Sequence, residues 1–218
     1  MIPLTLAAIA EITGASLGPS TGPAALVRSV VIDSRQAAPG ALFAALPGDR
    51  VDGHAFAAAA IEKGAVAVLA SRPVGVPALI TPDVPAALAA LARAVTDALP
   101  GLTIAGITGS VGKTTTKDLA AQLVERLGPT VAPYGSYNNE IGHPLTVLRV
   151  TEETRYLVLE LSARGAGHIA QLCQIAPPRI GAVLCVGHAH TGEFGGLAEV
   201  ARAKGNCPPP CRPTGSRC

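Results

Sequence analysis

The stretch Gly109-Ser110-Val111-Gly112-Lys113-Thr114-Thr115 decides the fold of this chain. It follows an apolar run at 102–107 that is typical of a buried strand, and it opens a helical pattern over 113–127. A glycine-rich turn in this position points backbone N–H groups at an anion, and the helix N-terminus adds a favourable dipole. We therefore predict a phosphate-binding loop in which Lys113 reaches the β- and γ-phosphates and the Thr114 hydroxyl binds Mg²⁺.

The glycine spacing departs from the strict phosphate-loop pattern. That pattern has a glycine five residues before Gly112, where this chain has Ile107, and the first glycine here is Gly109. The alternative is an ordinary glycine-rich turn with a solvated lysine. The succession of strand, loop, Lys-Thr pair and helix favours the phosphate loop.

The rest of the chain alternates strand-like and helix-like segments in two blocks, separated at Pro100-Gly101 because this pair is strong punctuation. In the first block we predict helices over 4–12, 54–63 and 83–99 and strands over 27–32, 41–46 and 65–70. In the second we predict strands at 102–107, from 131, at 156–161 and at 180–186, and helices at 113–127, 141–148, 166–175 and 197–204. This alternation predicts parallel α/β architecture with right-handed crossovers.

Composition limits the class of protein. The 218 residues are 49% hydrophobic and 15% charged, with a net charge of +2, which suits a folded chain rather than a disordered one. No basic stripe points to nucleic acid. No apolar run reaches the roughly 18 residues of a membrane helix, and the N-terminus lacks the basic region of a signal peptide. We therefore expect a cytoplasmic protein without a membrane span. We also expect a monomer.

The five cysteines fall into two groups. Cys173 and Cys185 lie in apolar stretches and are predicted to be reduced core residues. The other three lie in the segment 206–218, which has no hydrophobic period and no core-forming residues. We expect this segment to be an aberrant, unstructured tail. A zinc site is the alternative, but histidine partners and paired short spacings are missing.

Glu160 is the strongest candidate for a metal ligand. It ends the apolar run 156–161, where a carboxylate needs a partner. The carboxyl ends of parallel strands meet at one edge of a sheet, and ligands collect there. We therefore predict that Glu160 binds a metal beside a nucleotide phosphate. The alternative is a salt-bridged residue at the sheet edge.

Other polar segments follow predicted strands. His188 and His190 come after 180–186, where a histidine is more often structural, although His190 could bind a divalent ion or a phosphate. Asn138-Asn139 marks a loop that either binds substrate or caps the next helix. Asp33-Ser34-Arg35 and the loop 47–54 are anion sites or solvated turns with equal weight, since arginine suits bidentate phosphate recognition.

Together these segments resemble the Mur ligase family, the ATP-driven amide ligases that build the cell-wall peptide. The resemblance covers about residues 1–205. It rests on 33–35 with 39–43, 48–56, 107–118, 138–144, Glu160-Leu161, Ala189-His190, Phe194-Gly195 and 203–205. The motifs at 52–54 and 138–142 favour the member that adds D-alanyl-D-alanine to UDP-N-acetylmuramoyl-tripeptide through an acyl phosphate. The alternatives are a sister ligase that adds another amino acid, and a non-catalytic module that binds nucleotide or UDP-sugar.

The resemblance also implies domains and substrate contacts. Residues 1–99 would form a small α/β domain for the UDP-sugar end of the substrate. Residues 100–205 would form an incomplete parallel-sheet ATPase domain. The substrate-binding residues would be Ser29, Asp33, Ser34 and Arg35 near the uridine nucleotide, and Asn138, Asn139 and Arg164 facing the muramoyl-peptide.

The catalytic roles are likewise implied by the resemblance. Lys113 would hold the ATP phosphates, while Thr114 and Glu160 would hold a first Mg²⁺. Glu160 and His190 would serve a second Mg²⁺. Lys204 matches a lysine that is carbamylated in the family and supports the second metal.

The chain departs from the family pattern in three respects. Its pattern breaks at Asn206, and its length is roughly half of what the family pattern leads us to expect. Cys185 stands where an asparagine is usual. We therefore expect a truncated and inactive ligase fragment.

Overall fold

The structure, a computed structural model, describes residues 1–48, 51–135, 137–163, 165, 167–187 and 197–205. This part of the chain divides into two units. The first consists of Met1–Ala98 with Leu148–Glu152, and the second consists of Leu99–Val147 and the residues from Glu153 onward. Each unit has its own mainly parallel sheet, which confirms the predicted α/β class.

The first unit is built on a five-stranded sheet. Its strands are β2 (Ser16–Leu17), β4 (Ser29–Val31), β5 (Ala41–Ala44), β6 (Ala67–Ala70) and β7 (Ala78–Ile80), in the order β2-β7-β6-β5-β4. Strands β4 to β7 are parallel, and β2 is antiparallel at the edge. A separate antiparallel pair joins β1 (Leu4–Thr5) and β3 (Leu26–Val27).

Local sequence explains the helices of this unit, which are α1 (Leu6–Thr13), α2 (Ala57–Glu62) and α3 (Val84–Asp97). The Thr5 hydroxyl caps α1 by accepting from the Ala8 N–H, and Gly14 ends it in a left-handed conformation with φ 67°. Asp83 caps α3 in the same way through the Ala86 N–H. The core is filled by small side chains around Phe43, since all four residues of both β5 and β6 are buried.

Four features of this unit differ from the prediction. The predicted helix at 4–12 begins only at Leu6, because Leu4–Thr5 pairs with β3. The predicted strand at 27–32 is divided between β3 and β4. The predicted helix at 54–63 begins as a 3₁₀ turn (Gly53–Phe56) before α2. Strands β2 and β7 were not predicted, because β7 is only three residues long and lies between Pro77 and Pro82, which indicate loop.

The second unit has an all-parallel sheet among its described residues. The strands β8 (Thr103–Thr108), β9 (Thr130–Val131), β10 (Tyr156–Glu160) and β11 (Ile180–Val183) lie in the order β11-β8-β10-β9. The helices are α4 (Lys113–Glu125), α5 (Gly142–Val147), α6 (His168–Ile175) and α7 (Leu197–Gly205). Glu160 pairs in register with Ile107, so β8 and β10 end at the same level and the phosphate loop leaves the sheet beside Glu160.

This unit leaves apolar side chains exposed on α4, just after α4 and on β11. Leu119, Leu123 and Leu127 lie four residues apart and are 56%, 68% and 67% exposed. Ile180 and Val183 on β11 are about half exposed. Cys173 is buried in α6, as predicted, but Cys185 is only half-buried; the prediction of a core position for Cys185 is wrong, because its segment follows β11 at the edge of the sheet.

None of the helices that the structure describes is long and apolar enough to span a membrane.

Candidate functional site

The predicted phosphate loop connects β8 to α4. Gly112 is the N-cap of α4 and has φ 78°, a left-handed conformation that any side chain would strain. The loop is tied to the segment after β11, since the Ser110 N–H donates to the Cys185 carbonyl at 3.0 Å. The Ser110 hydroxyl accepts from the Gly187 N–H at 2.9 Å. Two hydrogen bonds through Ser110 therefore fix the loop to this segment.

Two lysines converge on one carbonyl of this loop. Lys113 Nζ and Lys204 Nζ each donate to the Gly109 carbonyl at 3.0 Å. Burial lowers the pKa of Lys204, and the neighbouring charge of Lys113 lowers it further. A bound anion would relieve this repulsion, so the arrangement suits phosphate.

Glu160 is satisfied by two partners from distant segments. It is 1% exposed. Its Oε2 accepts from the Thr114 hydroxyl at 2.8 Å, and its Oε1 accepts from the Asn138 side-chain amide at 2.6 Å. The buried carboxylate therefore lies against the first turn of α4, beside the phosphate loop.

The donor set of Thr114 and Glu160 fits Mg²⁺. Hydroxyl and carboxylate oxygens are hard ligands, and Mg²⁺ usually takes one or two carboxylates and completes its shell with water and phosphate. Among the described residues, no three His, Cys, Asp or Glu side chains cluster as a metal cage would require. The chemistry of this edge therefore matches a metal shared with a nucleotide rather than an all-protein site.

The two asparagines of the predicted substrate loop have different contacts. Asn138 reaches Glu160, whereas the Asn139 side-chain oxygen caps α5 by accepting from the Gly142 N–H at 2.8 Å. Glu140 pairs with His168 of α6 at 2.7 Å. The helix-cap interpretation therefore holds for Asn139, and substrate contact by this loop stays a prediction.

The predicted nucleotide residues of the first unit lie at the end of β4. Ser29 is in β4, while Ser34 and Arg35 form a 3₁₀ turn (Ser34–Gln36) capped by Asp33. The Arg35 guanidinium donates to both Asp33 oxygens, at 2.7–3.1 Å, and together with the Arg35 N–H it lowers the pKa of Asp33 to about 2. Arg35 is 84% exposed, so a ligand has free access to it.

A second polar network in the first unit was not predicted. His54 Nδ1 donates to Asp52 at 2.6 Å, and its Nε2 accepts from the Ser71 N–H at 3.1 Å, with the Ser71 hydroxyl at 3.0 Å. Arg72 pairs with Asp52 and is the main cause of a lowered Asp52 pKa.

This network contains the residue types of a Ser-His-Asp triad, but its hydrogen bonds do not suit catalysis. A general base needs a free Nε2 lone pair, and the backbone N–H of Ser71 already occupies that of His54. His54 is also buried. The network therefore joins the loops after β5 and β6 and carries no nucleophile.

Several predicted residues lie outside the described part of the chain. They are Arg164, His188, His190 and the segment 206–218. Lys117, by contrast, was missed by the sequence reasoning although it is fully buried in the site. The only signal was its place four residues after Lys113, on the same face of α4.

Comparison with known proteins agrees with this geometry. Residues 107–207 match the Mur ligase middle domain, and residues 26–103 match the Mur ligase family, catalytic domain. The UDP-N-acetylmuramoyl-tripeptide–D-alanyl-D-alanine ligase of Mycobacterium leprae is 53% identical over 95% of this chain and 46% of the relative. The chain thus spans about half the length of the curated relatives it matches.

Solved structures show the same likeness. MurF from Acinetobacter baumannii superposes with a TM-score of 0.85 at 33% identity, over 93% of this chain and 45% of that one. MurF ligase from Thermotoga maritima in complex with ADP gives a TM-score of 0.73 at 36% identity, over 82% of this chain and 42% of that one.

Proposed function

The chain belongs to the Mur ligase family, and from this we propose that it provides the UDP-sugar-binding and ATP-binding parts of a ligase that joins D-alanyl-D-alanine to UDP-N-acetylmuramoyl-tripeptide. The names of the relatives at about half identity support this choice over a sister ligase. The ADP complex of the Thermotoga maritima relative supports ATP as the nucleotide. A cytoplasmic location and a monomeric state remain predictions.

One observation carries the proposal. At the edge of the second sheet, the buried Glu160 contacts the Thr114 hydroxyl at the start of α4. Beside them, Lys113 and Lys204 converge on the Gly109 carbonyl. In this proposal Lys113 leaves the Gly109 carbonyl to hold the ATP phosphates. Thr114 and Glu160 hold Mg²⁺, with His190 contributing to a second ion. When bound, Mg²⁺ supplies the positive charge that neutralises the phosphate oxygens.

The proposed reaction has two steps. The terminal carboxylate of the muramoyl-tripeptide forms a bond to the γ-phosphorus of ATP, and the bond to ADP breaks. The amine of D-alanyl-D-alanine then attacks the acyl carbon of the acyl phosphate, loses a proton and displaces inorganic phosphate. Phosphoryl transfer needs positioning and charge neutralisation rather than a protein nucleophile. The absence of a free base beside Ser71 among the described residues agrees with this.

For Lys204 the proposed role is that of a carbamate. Its amine would form a bond to the carbon of CO₂ and release a proton, which requires the neutral amine. Burial and the charge of Lys113 lower the pKa of Lys204 and so raise the neutral fraction. The product carries a negative charge and would suit a metal beside the phosphate loop.

Substrate contacts are proposed for both units. Arg35, with Asp33, Ser34 and Ser29, would contact the uridine diphosphate end, because the exposed guanidinium fork matches phosphate oxygens. Asn138 and Arg164 would face the muramoyl-peptide. Asn139 would act with them mainly by capping α5, which orients the loop.

Isothermal titration and phosphate release test the proposal. The chain should bind MgATP, and Lys113→Ala should weaken this binding by about 100-fold or more, since it removes the mobile cation of the cradle. Arg126→Ala removes a positive charge just after the other end of α4 and is the matched control, with unchanged affinity expected. Equal affinity in Lys113→Ala and the unaltered chain would refute the phosphate loop.

The substrates separate the remaining alternatives. Phosphate release that requires both UDP-N-acetylmuramoyl-tripeptide and D-alanyl-D-alanine supports the proposed ligase. Release with another amino acid in place of D-alanyl-D-alanine indicates a sister ligase. Heat on adding the UDP-sugar peptide without any phosphate release indicates a binding module.

A further inference from the structure

Lys117 is a fully buried lysine that the proposed chemistry does not use. It lies one helical turn after Lys113 in α4 and is 0% exposed. Its ammonium contacts three acceptors: the carbonyls of Pro133 at 2.8 Å and Gly135 at 3.2 Å, and Asp118 Oδ1 at 2.5 Å. An ammonium has three N–H donors, so all of them are occupied.

A charge in this position needs a reason. Removing an ammonium from water is costly unless every donor is satisfied, and a leucine or methionine would fill the same space without that cost. Two of the three acceptors are the backbone carbonyls of Pro133 and Gly135, which belong to one short segment after β9. The lysine therefore fastens this segment to the helix that begins at the phosphate loop.

The fastened segment leads directly to the glutamate. Gly135 precedes Asn138 by three residues, and the Asn138 amide donates to Glu160 Oε1. The other oxygen of Glu160 accepts from Thr114, which lies on α4 three residues before Lys117. The contacts form a closed circuit from α4 through the segment to Asn138, to Glu160 and back to α4.

We propose that Lys117 is a positioning residue, which holds Asn138 on Glu160 and thereby orients the carboxylate toward the phosphate loop. This inference rests on the proposed function in one respect, namely that Glu160 takes part in binding MgATP. Lys117 does not contact the nucleotide itself, because its three donors are occupied and its side chain is buried. Its effect reaches the site through Asn138.

Selective ¹⁵N labelling of asparagine tests, without any ligand, whether Lys117 holds Asn138 on Glu160. The chain has three asparagines, at 138, 139 and 206, and the pair of side-chain amide signals that disappears in Asn138→Asp identifies Asn138. Lys117→Met has an unbranched side chain that is one heavy atom shorter and has no donor. In this variant we expect solvent exchange of the Asn138 amide to become about tenfold faster. Asn139, held at α5, is the internal reference.

A graded series guards against a variant that fails to fold. Lys117→Gln keeps one donor group, and Lys117→Arg keeps the charge and several donors. We expect exchange of the Asn138 amide to slow in the order Met, Gln, Arg, with Arg nearest the unaltered chain. The same exchange rate across the series, with only the melting temperature changing, would show a purely structural lysine and overturn the proposal.

A double-mutant cycle on MgATP affinity tests the route through Asn138. We expect Lys117→Met and Asn138→Ala each to weaken MgATP binding by about tenfold, and the double variant to be no weaker than Asn138→Ala alone. Additive losses would mean that Lys117 acts by another route, and would overturn the proposal.

The two measurements also separate this inference from the proposed function. Faster exchange of the Asn138 amide in Lys117→Met would support the positioning role of Lys117. If neither the variant nor the unaltered chain binds MgATP, the result would at the same time count against the proposed function. Unchanged exchange of the Asn138 amide, in a chain that does bind MgATP, would count against the positioning role of Lys117 alone.

Discussion

The two sheets present polar side chains at their carboxyl ends in opposite states of burial. In the first unit, Asp33 and Arg35 are two residues apart and pair with each other, and Arg35 is 84% exposed. In the second unit, Glu160 is 1% exposed, and its partners Thr114 and Asn138 lie 46 and 22 residues away in sequence. An exposed local pair is easily rearranged by a ligand, whereas a buried carboxylate with distant partners is preorganised.

From this difference we expect the two sheet edges to contribute differently to stability and to ligand binding. Exposed pairs add little to folding, so the first edge can serve binding without carrying the stability of its unit. When one partner of a buried hydrogen bond is removed, the remaining partner is left unsatisfied. The residues around Glu160 in the second unit therefore contribute to folding and to binding at once. Substitutions at the two edges should therefore separate stability from affinity in one case and change them together in the other.

Glu160→Ala is expected to have the largest effect. It leaves the half-buried Thr114 hydroxyl and Asn138 amide without their acceptor, at about 1 kcal/mol of unfolding free energy for each. It also removes the only carboxylate of the proposed Mg²⁺ site within the described residues, so MgATP affinity should fall by about 100-fold. Urea unfolding and isothermal titration measure the two effects.

The matched control at this position is Glu160→Gln. It keeps the shape and one acceptor oxygen but removes the charge, so stability should lie closer to that of the unaltered chain while the Mg²⁺ dependence of ATP binding is lost. Loss of affinity in Glu160→Ala without any loss of stability would break the contrast between the two edges.

His143 should make the second unit sensitive to acid. It is 0% exposed in α5, and burial lowers its pKa from 6.5 to about 4, with the Leu172 backbone opposing this shift in part. Above pH 6.5 the ring is neutral in both the folded and the unfolded chain. As the pH falls from 6.5 toward 4, only the unfolded chain gains the proton, so stability is lost across this window, by roughly 2 kcal/mol at pH 5.

His143→Leu tests this assignment, since leucine fills the site without titrating. The difference in unfolding free energy between pH 7.5 and pH 5 should shrink by about 2 kcal/mol relative to the unaltered chain. An identical pH dependence in both proteins would assign the acid sensitivity to other groups.

His54→Ala tests whether burial, rather than the unit, decides the outcome, because His54 is the buried member of the first edge. The Ser71 N–H loses its acceptor, and Asp52 loses the imidazole but keeps Arg72. We expect a loss of about 2 kcal/mol in unfolding free energy, or roughly 4–8 °C in Tm. Ser71→Ala is the control, since it keeps the backbone N–H bond to Nε2 and removes only the hydroxyl contact. Equal melting of all three proteins would mean that the network adds nothing to the fold.

Asp33→Asn should have the smallest effect on folding. Arg35 holds the pKa of Asp33 at about 2, yet the pair is exposed and solvent screens it, so Tm should change by no more than about 1 °C. Binding of UDP-N-acetylmuramoyl-tripeptide should nevertheless weaken, because the caps and the guanidinium geometry depend on the carboxylate. Calorimetry measures Tm, and isothermal titration measures the affinity for the UDP-sugar peptide. A lower Tm with unchanged affinity would contradict this prediction.

Most elements of the fold were predicted because their signals are local. The boundaries of α3 follow from Asp83 and Pro85, and that of α1 from Gly14, within one turn of the chain. The buried strands β8 and β10 are continuous apolar runs. Strands β2 and β7 were missed since a pair of prolines and a length of two or three residues leave no period to detect.

The candidate site was predictable in part for the same reason. The phosphate loop is one short segment, so residue order alone places Lys113 and Thr114 beside Gly109. The link from Asn138 to Glu160 needs the pairing of β10 with β8 and the return of a loop over the sheet edge. No spacing in the sequence reports that meeting.

The sequence by itself determined the class of fold, the phosphate loop and the carboxylate at the end of β10, because hydrophobic period, glycine position and helix caps act over a few residues. The tertiary structure alone decided that Lys117 is buried while Arg35 is exposed, and that His143 lies in the interior. Burial depends on which distant segments pack against a side chain, and the same lysine in a solvated helix would carry no such contacts.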